Sequence, residues 1–252
     1  MVAAGVAVTA GPVHRALADE VHRLGAASPG RRLQVLDVGG GSGAWAVPMA
    51  QLGCAVTVVD NSPNALAALR RRARDAGVAE LVTAIQGDVD ALAEAAPTDG
   101  ADLVLGHGLL DVVDDAVAAV AALRQATAPG SAVSVLVAGR YAAVLGRTLG
   151  GRLAEARALL TDPNGRLGPQ DALRRRLDTV TLRALLESAG LRVEQLRGDG
   201  VLEGWVPGSV RDGGPAATVA VAELDELAAA VAPLRDVAAR LHALARRPVA
   251  QS

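Results

Sequence analysis

Val35-Leu-Asp-Val-Gly-Gly-Gly-Ser-Gly43 decides how this 252-residue chain is read. The apolar run over 33–38 reads as a buried strand, and it stops at a glycine cluster. A helix-like segment follows from Ala44. Glycines let the backbone turn sharply and approach a ligand with no Cβ in the way. The helix start behind them presents unpaired N–H groups. Strand, glycine loop and helix in this order suit a nucleotide-like ligand.

Two ligands compete for that loop. Gly39-x-Gly41-x-x-Ala44 fits a relaxed dinucleotide fingerprint, with Asp60 at the distance where a ribose-binding acid is expected. On that reading the chain is an NAD-binding oxidoreductase. Three features favour S-adenosylmethionine (SAM) instead. Asp37 lies just before the glycines inside an apolar strand, where a carboxylate repels a pyrophosphate and attracts an ammonium. Val56-Thr-Val-Val-Asp60 ends the second strand in an acid able to take both ribose hydroxyls, with Asn61 next to it. Leu81-Val-Thr-Ala-Ile-Gln-Gly-Asp88-Val89 ends the third in Gly-Asp, placed to meet an adenine amine. Each acid alone reads as a polar loop residue at a strand end; three in series point past that. Gly39, Gly40 and Gly41 form the loop itself.

Outward from this core the chain alternates. A helix is expected over 13–24, then strands over 33–38, 55–59, 81–86, 101–106 and 132–137. Helices are expected between them over 44–52, 62–76, 89–95 and 114–127. Ser62-Pro63 marks a helix start and Gly77 a stop. Pro129-Gly130 is expected to close the helix before the fifth strand. This rhythm implies an α/β fold, a doubly wound, mostly parallel sheet. After Ala138 it breaks. Helical stretches over 141–148 and 153–160 and an irregular stretch over 161–169 read as an inserted lid. A helix over 179–188, a sixth strand over 191–196, a turn-rich loop over 199–208 and a long helix over 216–231 follow. The expected organisation is a single domain: cofactor core 30–138, lid 139–178, substrate-side region 179–252.

Composition removes several classes. Hydrophobic residues are 51% of the chain, so it folds around a core. There is no Phe, one Tyr and two Trp, so aromatic platforms for stacking bases are nearly lacking. All 25 basic residues are arginine, and the scarcity of Lys, Ile, Phe, Tyr and Asn together points to a GC-rich bacterial genome. The net charge of -2 offers no field to a polyanion. Cys54 is the lone cysteine, which excludes a disulfide framework and a zinc cluster. Residues 1–10 lack the basic flank of a signal peptide, and no window is long and apolar enough for a membrane span. A cytoplasmic protein without metal is expected.

Methyl transfer from a sulfonium needs proximity and orientation more than a catalytic group. His107, between two glycines after the fourth strand, stands where it could hold the cofactor, position a substrate or take a proton. Arg15, or His14, on the first helix is placed to clamp the cofactor's carboxylate. Arg70, Arg71, Arg72 and Arg74 read as a solvated helix face. The segment 139–183 carries nine arginines against four acids, which suits an anionic substrate or reflects genome bias alone.

From about 33 to 137 the motifs LDVGGGSG, VVDNSPNAL, IQGDV, ADLVLGHGLLDVVDD and APGSAVSVLV resemble, in order and spacing, those of class I SAM-dependent methyltransferases. That family's fold implies a seventh, antiparallel strand beside the fifth, expected over 240–246. Further matches are similar to one branch, the bacterial tRNA 5-carboxymethoxyuridine methyltransferases. Val35-Leu-Asp-Val-Gly-Gly-Gly is like its VLDAGGG, and Asp102-Leu-Val-Leu-Gly-His-Gly-Leu-Leu-Asp-Val-Val is like its DLILFHAVLEWV. The loop at Gly200, Val201 and Trp205 falls at its GVRVF, and Ala245-Arg-Arg-Pro248 at its ARKP ending. This resemblance implies cofactor contacts at Arg15, Gly39, Gly40, Asp60, Asp88, Val89 and His107. It implies an acceptor that is a carboxylate on a tRNA wobble uridine, with S-adenosylhomocysteine as coproduct. The chain departs from that branch in its few aromatics, its lack of Lys and its slightly acidic charge. The alternatives are O- or N-methylation of a small molecule or saccharide, and a SAM-binding protein without activity. DNA is not an expected partner, and the oligomeric state is left open.

Overall fold

The computed structural model describes residues 11–89, 92–202 and 204–249. The stretch 1–10 read above for a signal peptide lies outside them, as does part of the helix expected over 89–95.

Seven strands form one sheet: β1 (Gln34–Val38), β2 (Ala55–Asp60), β3 (Val82–Gln86), β4 (Ala101–His107), β5 (Thr127–Ala138), β6 (Arg192–Asp199) and β7 (Arg240–Arg246). Their order is β3-β2-β1-β4-β5-β7-β6. The first five run parallel, and β7 runs antiparallel between β5 and β6. The seventh strand occupies the residues expected from the resemblance. Its antiparallel insertion sets the sheet apart from the dinucleotide fold, whose sixth strand continues in parallel.

Helices α1 (Pro12–Ala27), α2 (Ala46–Gln51) and α3 (Pro63–Asp75) cover one face. The short α4 (Leu92–Ala95) and α5 (Leu109–Val112), with α6 (Ala116–Ala126), cover the other. Period-two alternation divides the core between the faces. Leu103 and Leu105 pack under α1–α3, and Val104 between them packs on the α6 side. Caps set the helix starts. The Ser62 hydroxyl accepts from Ala65 N–H at 3.2 Å ahead of Pro63, and Asp115 accepts from Ala118 N–H at 2.9 Å.

Beyond β5, α7 (Arg140–Leu149) and α8 (Leu153–Thr161) form a hairpin, and α9 (Thr179–Ser188) leads into β6. Asp178 caps α9 by accepting from Thr181 N–H at 2.8 Å. The short α10 (Gly208–Arg211), then α11 (Pro215–Ala229) and a single 3-10 turn (Leu234–Val237), lead into β7.

Several boundaries differ from the sequence expectation, among them the end of β6, which runs to Asp199 where the strand is expected over 191–196. Pro129-Gly130 does not close α6 as a turn. It lies inside β5, because Gly130 N–H donates to Arg247 O at 2.8 Å and Arg247 N–H donates to Ser131 O at 2.9 Å. The helix expected from Ala44 begins at Ala46, since residues 40–45 turn tightly, with Gly43 N–H donating to Gly40 O at 3.0 Å. β4 continues through His107, which pairs with Leu136 of β5. His107 is therefore held by the sheet and not by a loop.

Candidate functional site

The glycine loop leaves the carboxyl end of β1 and crosses the end of β2. Its backbone is tied there by Gly39 N–H donating to Val59 O at 2.8 Å. Asp60 at the tip of β2 holds the loop from the side. One carboxylate oxygen accepts from Gly41 N–H at 2.9 Å and the other from Ser62 N–H at 2.8 Å. Gly40 faces inward, where a Cβ would stand 2.4 Å from an Asp37 carboxylate oxygen. Gly41 adopts φ 54°, a conformation that glycine takes without strain.

A cleft of about 580 Å³ opens at this edge of the sheet, a size suited to a small cofactor. Gly39, Asp60, Asn61, Asp88, Val89 and His107 line it, with Leu109, Val112 and Val113 from the α5 segment. Most of the expected site residues thus meet in one place, at the switch point of strand order. Asp60, Asp88, Asp114 and Asp115 give the lining a run of carboxylates, and among the described residues no arginine lines it.

Asp37 and Arg15 stand apart from the cleft lining. Asp37 is fully buried under Gly40, and neither of its oxygens has a hydrogen-bond partner among the described residues. Burial, with the Asp60 charge nearby, pushes its carboxyl up to about 7. Arg15 donates from Nε to Glu226 Oε2 at 3.1 Å, and Arg197 reaches the other oxygen of Glu226 at 3.0 Å. These bonds join α1, β6 and α11. His14, the alternative to Arg15, lies flat on Trp45 with ring centroids 4.2 Å apart.

Trp45 in turn meets His107 edge to face at 4.5 Å. His107 is 9% exposed and its Nε2 lies 2.8 Å from Ser134 Oγ on β5. The same hydroxyl lies 2.8 Å from Nε2 of His242 on β7. Burial first, then the positive charges that His242, His14 and Arg240 can carry, hold His107 well below the usual histidine range. Burial takes His242 down to about 3. Both rings are neutral at physiological pH. Sequence reasoning missed Ser134, His242 and Trp45. A signal existed for the first two: each is a polar residue inside an apolar strand, the same signal that singled out Asp37.

The arginines of the segment expected as a lid are mostly bonded within the protein. Arg140 donates to the carbonyls of Leu159 and Leu160 at 3.0 and 2.9 Å and binds the end of α8 to the start of α7. Arg147 pairs with Glu155, Arg176 with Asp171 and Arg183 with Glu187. Arg175 donates to the carbonyls of Val113 and Asp114 at 2.7 and 2.8 Å. Beside it, Asp111 accepts from Ala138 N–H at 3.1 Å, and burial pushes its carboxyl up to about 6. Arg70, Arg71, Arg72 and Arg74 form an exposed face of α3, as expected.

Among the described residues no His, Cys, Asp and Glu grouping could hold a metal ion, and no helix is long and apolar enough to cross a membrane.

A family model described as a methyltransferase domain matches residues 10–196. No curated protein matches the chain. Among solved structures, the chain is similar to the CcbJ methyltransferase from Streptomyces caelestis, with TM-score 0.59 and 15% identity over 94% of this chain and 90% of that one. It is also similar to an S-adenosylmethionine dependent methyltransferase from Mesorhizobium loti, with TM-score 0.57 and 21% identity over 90% and 97%. A third is the magnesium protoporphyrin IX methyltransferase from Synechocystis PCC 6803, solved with bound S-adenosylhomocysteine, with TM-score 0.57 and 15% identity over 94% and 84%. At these identities the likeness is one of fold.

Proposed function

We propose, from the premise that this chain belongs to the methyltransferase-domain family and uses SAM, that it transfers the methyl group to a carboxylate oxygen of a small molecule. The residues fit the cofactor. The loop at Gly40 has room for backbone only, and the carboxylates of Asp60 and Asp88 suit the hydroxyls and amine of an adenosine. A lining rich in carboxylates also suits a cationic sulfonium. When bound, SAM supplies a methyl group already activated for in-line displacement.

The roles of the chain's own residues follow from their placement. Gly39, Gly40 and Gly41 bring the backbone against the cofactor. Asp60 takes the ribose, with Asn61 beside it, and Asp88 and Val89 take the adenine. Asp37 acts from beneath, packed against Gly40. Arg15 stays tied to Glu226 and braces α1 against α11. His107 positions a ligand oxygen.

One observation carries the acceptor chemistry. His107 is buried and neutral, and its Nε2 rests on a hydroxyl, with no carboxylate to stabilise a proton gained. It is a poor base. An acceptor that arrives ionised needs no base from His107, and a carboxylate is ionised at neutral pH. The carrier is small because most lid arginines are bonded within the protein.

A second reading keeps the carboxylate and places it on tRNA. It is favoured by the GHGLLDVV segment around His107 and by the exposed Arg152 and Arg157 at α8. One experiment tests both: incubation with methyl-labelled SAM and either bulk tRNA or a panel of small carboxylic acids, followed by mild alkali. Label released by alkali from the small acids is the expected result. Alkali-labile label on tRNA alone moves the carrier to RNA. Label stable to alkali overturns the carboxylate reading.

A further inference from the structure

One wall of the cleft is the stretch 109–115, of which Leu109, Val112, Val113, Asp114 and Asp115 line it. The wall starts as α5, a helix of only four residues. Helix formation is cooperative, and a single turn is not stable by itself. Val113 N–H donates to Leu109 O at 3.2 Å and closes the turn. The carbonyls that follow have no next turn to pair with. Packing fixes the front of the wall, where Leu109 and Leu110 are buried. It does little for the rest, since Val112 is 53% exposed and Asp114 and Asp115 lie on the surface.

Residues 174 and 175 take the open carbonyls. Asp111 O accepts from Arg174 N–H at 2.7 Å and from Arg175 N–H at 3.3 Å. The Arg175 guanidinium donates to Val113 O at 2.7 Å, to Asp114 O at 2.8 Å and to Leu110 O. Arg174 adds an ion pair with the Asp114 carboxylate at 3.2 Å. The carbonyls of 110, 111, 113 and 114 are thus held from one place. A guanidinium suits the task, with five donors in a rigid fork where an ammonium has three on a flexible stem. The charges of Asp111, Asp114 and Asp115 offset part of the cost of burying it.

That place is outside the cleft. Neither Arg174 nor Arg175 is among the described residues that line it. Both stand near the end of the segment 139–178, next to a stretch anchored on β5. Leu177 N–H donates to Ala138 O at 3.1 Å, and Leu177 O accepts from Arg140 N–H at 2.9 Å. The Asp111 carboxylate closes the ring by accepting from Ala138 N–H at 3.1 Å.

We propose that Arg175 is a positioning residue for the cofactor. It fixes the 109–115 wall from outside, so cofactor affinity depends on the docking of 174–177. By linkage, the bound cofactor steadies that stretch in return. The inference rests on the reading that SAM occupies this cleft, and it is independent of the acceptor.

Calorimetry with S-adenosylhomocysteine on Arg175→Met tests it, at a temperature where circular dichroism shows the unliganded variant folded. Methionine keeps an apolar stem and removes the donors. The Kd is expected to rise about tenfold or more, the worth of one or two hydrogen bonds from a charged donor, with Arg175→Lys in between. An unchanged Kd overturns the proposal even if the variant melts earlier, because a tie that only stabilises the fold would act that way. Hydrogen exchange on the wild type tests the reciprocal effect and needs no variant. S-adenosylhomocysteine is expected to slow exchange at the amides of Arg174, Arg175 and Leu177, which open when the wall is released. Amides there that do not respond to the ligand overturn the proposal. Asp60→Ala tests the premise separately. If it leaves binding unchanged, the cleft reading falls and takes this inference with it. If it weakens binding and Arg175→Met does not, the inference alone falls.

Discussion

Asp60 supports the glycine loop through two backbone amides and also lines the cleft, so its loss acts twice. Asp60→Ala is expected to weaken S-adenosylhomocysteine binding about 10- to 100-fold by calorimetry, matching one or two hydrogen bonds to a charged acceptor. Asp37 gives a pH prediction. Its carboxyl is raised from 3.8 to about 7 in the folded state, so the folded chain binds the extra proton. The stability it contributes is complete below the unfolded value and is lost as pH rises through the folded one. Asp37→Asn removes that loss. Urea unfolding at pH 5 and pH 8 is expected to show the Asn variant gaining on wild type at the higher pH, by about 1.4 kcal/mol per unit of the window crossed. An advantage independent of pH would mean that Asp37 stays ionised. His107 and His242 act on the other limb. Their folded values are depressed, so their contribution is present above about 6.5 and declines as pH falls.

Most strands and helices lie where apolar periodicity and caps put them, because those signals are local. α9 begins and ends at the expected residues, set by its Asp178 cap and by Gly190 at φ 79°. β5 does not begin as expected, because its first residues are held by Arg247 from a segment far along the chain. No local rule reports such pairing. The segment 139–183 shows the same limit in charge. Its arginines suited an anionic substrate or genome bias alone, and the fold bonds most of them to carbonyls and carboxylates of the protein. Arg140→Ala tests this. It is expected to cost about 1–3 kcal/mol and to speed hydrogen exchange over 140–178 while leaving β1–β4 protected. A raised KM with unchanged stability would instead return Arg140 to the substrate.

At the scale of the molecule, a ligand that binds only the folded form stabilises it by mass action. At about a hundredfold excess over Kd the gain is roughly 2.7 kcal/mol, or about 5–10 °C in Tm for a chain of this size. S-adenosylhomocysteine is expected to give that shift and NAD none, by scanning calorimetry. A shift with NAD would send the glycine loop back to the dinucleotide reading. The sequence by itself determined the α/β alternation, the glycine loop and the acids that end the strands. These are encoded in residues close together, where periodicity, turn chemistry and charge act within a few positions. Three things were decided only by the tertiary structure. It buried Asp37 under Gly40 and tied Arg15 to Glu226, and it brought His107, Ser134 and His242 from three strands onto one hydroxyl. Those contacts join residues up to 211 positions apart. The Arg15–Glu226 pair and the His107–Ser134–His242 cluster exist only once β7 has inserted between β5 and β6 and α11 has packed by α1, so no window of sequence contains them.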